Sequence, residues 1–535
     1  MTAPEKAPET ALAGKPTRLQ SFAAAASSWR IGAVTLLSLS SGMPLGLVLT
    51  SVPAWMAMVG VDIKTIGVIT LAQAPYAFKF LWSPLMDRFP LPFLGRKRGW
   101  ILLAQVALFL STLALAFLGE KPSVTMVAAL TVLVAFASAT QDIAIDAYTV
   151  ESLRPEEQGL AVGARIAAYR AGMWIAGHIA ITLAAVQIGG RTVGWSAMLM
   201  LQAVLYLLLA PVTVFAPEPE APPRPPKTMR EAVWEPFVGF FRQHRALEIA
   251  AFLVLYKLGD NLATALIRPF FLQKGYDPID VGAASGTVGL VATMLGTFLG
   301  GLYTSSAGVG RALWLFGILQ AVAHTGYAVV AQAEVNRWLM YGAMGLEAST
   351  SGMATGAFSV FLLRLTQKKF SATQFALFSS IFALGRTIAG PPAGAIVAAI
   401  GWRDFFLLTF PLALPGLVML HRFVPWGTRE VAAQPDEAAA PALHGTPVST
   451  AGLLVRGLLG VVGGTAFALL GNATLGALKL MKDGKPFDLL APLIASLSPE
   501  KTADFLTVIG CGVFGLIAGF GVAAYVAARR GIEVR

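Results

Sequence analysis

The chain has 535 residues, 56% of them hydrophobic and only 13% charged, with one cysteine and a formal net charge of +11. A soluble chain of this size carries about 25% charged residues, so a water-soluble globular protein is excluded, and one cysteine excludes an internal disulfide. The positive balance calls for no nucleic-acid partner, because basic loops beside an anionic inner leaflet account for it. No metal-ligand spacing, nucleotide loop or nucleophile motif is present, so no enzyme and no cofactor are expected.

In chain order, residues 1–28 are polar and rich in Pro, Ala and Thr, and are expected to form a disordered cytoplasmic tail. The first apolar block is too long for a signal-peptide core and is read as an uncleaved span. Blocks near or above the ~20 residues needed to cross a bilayer predict six spans, at 31–58, 64–86, 99–119, 123–150, 158–187 and 195–215. A Pro-rich loop, 217–245, ends in an amphipathic stretch with Met229, Val233, Trp234, Phe237, Phe240 and Phe241 on one broad face, which predicts a helix on the inner interface. Six further spans follow at 246–273, 279–305, 311–331, 336–364, 372–400 and 402–423. A linker, 425–449, rich in Ala, Pro and Glu, leads to two Gly-rich spans near 450–480 and 502–528, an accessory pair within 450–535 that holds the single Cys511. The fold class is an all-α polytopic membrane protein of fourteen helices, arranged as six (29–216), six (246–424) and two, and expected to be a monomer. Arg96, Lys97, Arg98, Arg230, Arg242, Lys368, Lys369 and Arg422 all fall on one set of loops, which puts that set and both termini in the cytoplasm.

The two sets of six repeat one another. Gly60-Val61-Asp62 enters the second span and Gly275-Tyr276-Asp277 the eighth; Gln158 precedes Arg170, and Gln374 precedes Arg386, by the same distance. Both matches give an offset of about 215 residues, and Gly194-Trp195 and Gly401-Trp402 open the sixth and twelfth spans. Repeats of this kind are related by an axis along the membrane normal, with substrate bound between them near the midplane.

Ionisable residues within spans are expensive and mark substrate or ion paths. Here they are Lys79, Asp142, Asp146, Arg165, Arg170, Lys257, Asp260, Arg268, Glu347 and Arg386. Asp142 and Asp146, four apart, share a helix face. In a low-dielectric cavity they cannot both ionise cheaply, so the pair is a candidate proton-coupling site, against the alternative of a structural pair neutralised by Lys79 or an arginine. Arg170 and Arg386 are equivalent in the two repeats and suit an anionic substrate, because guanidinium binds carboxylate as a fork; the alternative is a local acid or helix carbonyl for each. Lys257 and Asp260, three apart, are either substrate ligands at a helix interruption, as Gly42-Met43-Pro44 would be in the first half, or partners of each other. Gln141 can donate to a sugar hydroxyl or cap a neighbouring helix. Tyr76, Trp82 and Tyr169 can stack on sugar rings, although most membrane aromatics are packing residues; His178 and His324 read as packing residues.

The loop Asp87-Arg88 … Gly95-Arg96-Lys97-Arg98-Gly99 resembles the loop after the second span of major facilitator superfamily transporters. A carboxylate there can accept from orphan helix N–H groups and from guanidinium groups, so Asp87, Arg88, Arg96 and Arg98 are candidate gating residues. Ser41-Gly42-Met43-Pro44-Leu45, Lys79-Phe80-Leu81-Trp82-Ser83-Pro84-Leu85-Met86-Asp87-Arg88, Gln141-Asp142-Ile143-Ala144-Ile145-Asp146, Leu255-Tyr256-Lys257-Leu258-Gly259-Asp260 and Phe370-Ser371-Ala372-Thr373-Gln374-Phe375-Ala376-Leu377 are similar to the AmpG-type muropeptide permeases over nearly the whole chain. The resemblance implies a major facilitator fold in a Gram-negative inner membrane and import of N-acetylglucosaminyl-1,6-anhydro-N-acetylmuramyl peptides driven by the proton gradient. It also implies wall recycling and a link to β-lactamase induction. Ala168-Tyr169-Arg170-Ala171-Gly172 and the Ala/Gly-rich terminal pair depart from typical members and bear on substrate preference. A fifth span without proline favours symport. The competing readings are a carrier of another anionic metabolite, such as an acyl-coenzyme A, and a non-transporting membrane sensor or scaffold.

Overall fold

The computed structural model describes residues 28–62, 65–66, 69–119, 122–219, 224–243, 245–430, 447–482, 486–498 and 502–530. Most of the predicted tail 1–28 and of the linker 425–449 lies outside them. The first bundle comprises α1 (Trp29–Met58), α2 (70–88), α3 (Arg98–Ala116), α4 (Val124–Ser152), α5 (158–184) and α6 (Gly194–Phe215). Helix α7 (Met229–Arg242) follows in the central loop. The second bundle comprises α8 (Ala246–Lys274), α9 (Pro278–Ala307), α10 (Val309–Gln332), α11 (Arg337–Leu365), α12 (Ser371–Ile388) and α13 (Gly390–Phe423). After it come α14 (Thr450–Lys482), the short α15 (Leu490–Leu497) and α16 (Thr502–Arg530). A two-residue β hairpin pairs Gln187–Ile188 with Arg191–Thr192 ahead of α6.

Ten of the described helices are long and apolar enough to cross a membrane. At the second, fifth, tenth and eleventh predicted spans stand α2, α5, α11 and α12, which are not among the ten. They carry Lys79, Asp87, Arg165, Arg170, Glu347 and Arg364. The second span is not the continuous helix expected. It is broken into 3₁₀ turns at Thr70–Gln73 and Lys79–Leu81, each followed by a helix with proline in its first turn (Pro75, Pro84). Proline cannot donate to the preceding turn.

The repeat has a physical basis. Gly60 and Gly275 both take left-handed φ, +83° and +98°, a conformation open to a residue without Cβ and suited to ending a helix. Asp62 and Asp277 then start the next one: Asp62 Oδ1 accepts from Thr65 N at 3.0 Å and Asp277 Oδ1 from Ile279 N at 2.7 Å. Gly194 and Gly401 likewise share φ values of +77° and +78°. The paired sequence positions are paired turns.

The halves meet along two seams. On one, α5 crosses α9 backbone to backbone: a Cβ on Gly301 would fall 2.4 Å from the Gly159 carbonyl and 3.0 Å from Gly163 Cα. On the other, α12 lies against α2 and α4, and Ala372 and Ala376 join the core built by Ile143, Ala144 and Tyr148. Both seams lie toward the face carrying the basic loops.

Helix α7 is capped by Thr228, whose hydroxyl accepts from Glu231 N at 3.1 Å, while the Glu231 carboxylate accepts from Lys227 N, one residue before the cap, at 2.7 Å, a close relative of the capping box. Its apolar face meets protein on two sides. Phe240 packs on Phe378 of α12, and Trp234 and Phe237 pack edge-on against Phe520 of α16. α14 and α16 in turn pack closely on each other through small residues, Gly457, Gly460 and Gly464 facing Gly515 and Gly519.

Candidate transport site

A cavity of about 780 Å³ lies between the halves. The first bundle contributes Thr50, Ile166, Arg170, Met173, Trp174 and His178; the second contributes residues from α8, α9 and α11, with Phe382 of α12. Most of these lie from mid-helix toward the face opposite the basic loops, with Ile166, Thr297 and Thr355 reaching past the middle toward the seams, which close the cavity at that end. Three helices that form it contain a π turn: Leu47–Ser51 in α1, Ile175–Ile179 in α5 and Ala284–Val288 in α9. Each of these turns delivers wall residues, namely Thr50, His178, and Ser285 with Gly286. A π turn turns side chains out of the helical register and recurs at functional sites. The interruption expected at Gly42-Met43-Pro44 thus falls one turn later, at the π turn, whereas α8 does break at Lys257 as expected.

The wall of the second half carries a charge cluster. Lys257, 1% exposed, donates from Nζ to Asp260 Oδ2 at 3.3 Å, to Gln320 Oε1 at 3.1 Å and to the Ser351 carbonyl at 3.2 Å. The i,i+3 pairing expected of Lys257 and Asp260 is therefore present, and it holds the ammonium behind the wall, whereas Asp260 lines the cavity. Asp260 Oδ1 also lies 3.3 Å from His324 Nε2, and Ser351 Oγ donates to Oδ2 at 3.2 Å. Glu347 lines the same wall and accepts from the Tyr327 hydroxyl at 3.2 Å. His324, read from sequence as a packing residue, belongs to this cluster.

In the first half, Asp146 is held between Lys79 Nζ, at 3.4 Å, and the Arg165 guanidinium. Asp142 accepts from the Ser41 hydroxyl of α1. Neither carboxylate is among the residues lining the cavity. Gln141 is fully buried and donates to Ser40 Oγ at 3.0 Å, so the structure turns it into the α1–α4 contact rather than toward a sugar. Trp82 donates from its indole N–H to Thr140 Oγ1 at 3.2 Å and lies on Phe136 at 4.8 Å; Tyr76 packs on the core of the first bundle. These two rings, and Tyr169, are not on the wall of this cavity, whereas Arg170 is. Arg386 lies on α12, and its side chain falls outside those described.

The predicted gate is assembled differently from the expected list. Asp87, with its side chain fully buried, receives Lys97 Nζ at 2.7 Å and Arg96 Nη2 at 3.3 Å. Across the seam it accepts from the first amides of α12, Ala372 N at 3.2 Å and Thr373 N at 2.9 Å, and from Thr373 Oγ1 at 2.7 Å. It thus caps a helix of the other half, where the macrodipole favours negative charge. Arg96 also donates to the Lys369 carbonyl at 2.7 Å, and Glu151, which sequence reasoning missed, lies 3.4 Å from Arg96 and accepts from Ser371 Oγ at 2.5 Å. Arg364 adds a second crossing, donating to Gln158 Oε1 at 3.1 Å. Two predicted gate residues stand elsewhere. Arg88 stacks on its neighbour Phe89. Arg98 binds the Ala216 carbonyl at 2.6 Å and Glu218, within the first half, because its position opening α3 points it at the end of α6.

Two repeated helix bundles that share a cavity and are latched at one face define a transporter of the alternating-access kind. Residues 34–390 match the profile of the Major Facilitator Superfamily, and the chain belongs to that superfamily. Within it the chain belongs with the AmpG-type permeases. It is 40% identical over 392 residues, 73% of this chain and 79% of the relative, to the anhydromuropeptide permease of Escherichia coli K12. It is 30% identical to a putative transporter AmpG 4 of Rickettsia conorii, over 73% of this chain and 96% of that one. Among solved structures, the E. coli fucose:proton symporter matches with a TM-score of 0.57 at 13% identity, over 73% of this chain and 96% of its own. The proton:xylose symporter XylE matches with 0.55 at 12% identity, over 75% and 97%. The last two are similar in fold.

Proposed function

We propose that the protein carries anhydromuropeptides across the inner membrane into the cytoplasm, in symport with protons, as a monomer with both termini cytoplasmic. The observation that carries the substrate is the 40% identity to the E. coli anhydromuropeptide permease over most of both chains. The cavity supports it: about 780 Å³ is at the upper end of ligand sites, roughly 300–1,000 Å³, and suits a sugar-peptide better than a small metabolite. Its wall offers Arg170 and Arg268 for stem-peptide carboxylates and Asn261, Thr293, Ser351 and Thr355 for hydroxyl and acetamido groups.

With the basic loops cytoplasmic, the structure stands open to the periplasm. Muropeptide enters, the Asp87 cap on α12 releases, and the halves rock about the bound substrate. Asp142 is our candidate proton carrier in the first half. Lys79 and Arg165 pair directly with Asp146, whereas Asp142 feels them only from further off and accepts from a serine hydroxyl. The proposed role in wall recycling, and in β-lactamase induction where the regulator is present, follows from this import.

Uptake of mass-tagged disaccharide tetrapeptide into proteoliposomes, with and without an inward proton gradient, tests the reading. Accumulation with the gradient and its collapse with an uncoupler are expected. Accumulation of an acyl-coenzyme A in place of muropeptide would overturn the substrate, and gradient-independent uptake the coupling.

A further inference from the structure

We infer that His324, with Asp260 and Glu347, forms a second proton-binding site, in the half of the molecule opposite Asp142. The inference rests on the proton-coupled reading and adds a site to it. Three observations place it there. His324 sits in a one-residue interruption of α10, between Val309–Ala323 and Thr325–Gln332, and Lys257 sits in the interruption of α8 between Leu255 and Leu258. Two helices therefore break side by side where their ionisable residues meet. The ligand atoms of Asp260, His324 and Glu347 lie within 4.8 Å of one another. His324 is 1% exposed, yet its Nδ1 has no hydrogen-bond partner, so the ring's second nitrogen is not committed to a structural bond.

The charge count gives the site its function. His324 faces Lys257 and Asp260 from α8, Glu347 from α11 and Tyr327 on its own helix. α13 also packs on α10 but carries Arg403, Asp404, His421 and Arg422 far from this level, and α9 carries Asp280 and Tyr303 toward its ends. Within this set, a neutral His324 leaves the Lys257 ammonium beside two carboxylates, and an added proton supplies a second positive charge there; Arg268 of α8 and Arg170 of α5 line the same cavity. Asp260 and Glu347 lie on the cavity wall, where water compensates their charge while the cavity is open; closure removes that water and makes an unbalanced charge costly. A proton taken up on the imidazole from the periplasmic side, and donated as Nε2–H to Asp260, makes closure cheap; it is released when the cavity reopens to the cytoplasm. The set has a metal-like spacing, but the Lys257 ammonium already bound to Asp260 opposes a divalent cation.

The test is proton uptake on substrate binding, measured with a pH dye on the purified full-length protein, together with substrate affinity across pH 6–8. Each proton linked to binding changes affinity by up to about tenfold per pH unit. Wild type is expected to take up protons on binding muropeptide. His324→Gln is expected to take up at least one fewer and to have a correspondingly flatter affinity profile, and Glu347→Gln, which keeps the imidazole, to shift the same profile. Normal stoichiometry and profile in both variants would overturn the site while leaving coupling through Asp142 intact. Wild type that binds substrate with no proton uptake at any pH would overturn coupling and site together. A thermal shift induced by Zn²⁺ and lost in His324→Gln would replace the proton with a metal and overturn the site as stated.

Discussion

The two halves arose from one pattern of turns, but they handle buried charge differently. In the first, Asp142 and Asp146 stand with Lys79 and Arg165, away from the cavity wall. In the second, Asp260 and Glu347 lie on that wall with Lys257 behind them. The difference teaches that a pseudo-symmetric scaffold need not carry pseudo-symmetric chemistry. One cluster faces the cavity, and the other lies off its wall.

The sharpest way to break this comparison is to neutralise one acid on each side. Asp142→Asn is expected to lower proton-driven accumulation by at least about 100-fold, the loss of a general proton-transfer group, with a smaller change in melting temperature, since its hydrogen bond is to a neutral hydroxyl and Lys79 and Arg165 keep Asp146 as their ion-pair partner. Asp260→Asn leaves a buried ammonium without its carboxylate, which costs on the order of 3 kcal/mol, so its melting temperature should drop. Equal thermal stability in the two variants would erase the distinction.

Next in size is the latch. Asp87→Ala removes the shared partner of two buried cations and the cap of α12. The pairs with Lys97 and Arg96 lie within the first half and persist in either state; only the cap of α12 crosses the seam, so the loss of about 1–2 kcal/mol that goes with a helix cap is expected to shift the resting population toward the form open at the basic face. On a Cys511→Ala background, maleimide labelling of Ser285→Cys in the cavity should fall. Labelling equal to that in the Asp87 protein would reduce the motif to a topological signal.

A smaller effect is expected where the first half reaches the substrate. Arg170→Gln should weaken binding of the charged muropeptide by roughly tenfold, the worth of one charge-assisted hydrogen bond, and leave the peptide-free disaccharide nearly unaffected. Equal losses would give Arg170 a structural role.

The smallest lies on α7. Glu231 accepts from Lys369 Nζ at 2.6 Å, and that hydrogen bond, with the one from the Lys227 amide, holds its carboxyl below its ordinary value of 4.5. A depressed folded value means that the contribution is present above pH 4.5 and lost as pH falls through the lower value. The pair is exposed, so at most about 0.5 kcal/mol is at stake. Glu231→Gln should remove that acid-limb dependence in thermal melts and change little at neutral pH.

Much of the fold was legible because its signals are local. A left-handed glycine followed by a capping aspartate needs only three residues, and it occurred twice at one offset. The Asp87 loop was legible as a class, but Arg88 and Arg98 were not separable from Arg96 and Lys97, because which cation reaches across a seam depends on helix phase. Gln141 and Trp82 show the converse, since a polar or aromatic residue on a span can face a neighbouring helix as readily as a cavity. His324 escaped because 64 residues separate it from Asp260 and no local pattern marks the meeting.

The three π turns have a consequence for the chain's tolerance of deletions. Each holds its extra residue only because its neighbours accept the wider loop. Removing one residue within 47–51, 175–179 or 284–288 would let the segment anneal to an ordinary helix, turning everything beyond it by about 100°. Such a deletion would spare the helix and its span across the membrane, yet swing Thr50, His178 or Ser285 off the wall. A single-codon loss could thus leave a folded, inserted protein with a different lumen.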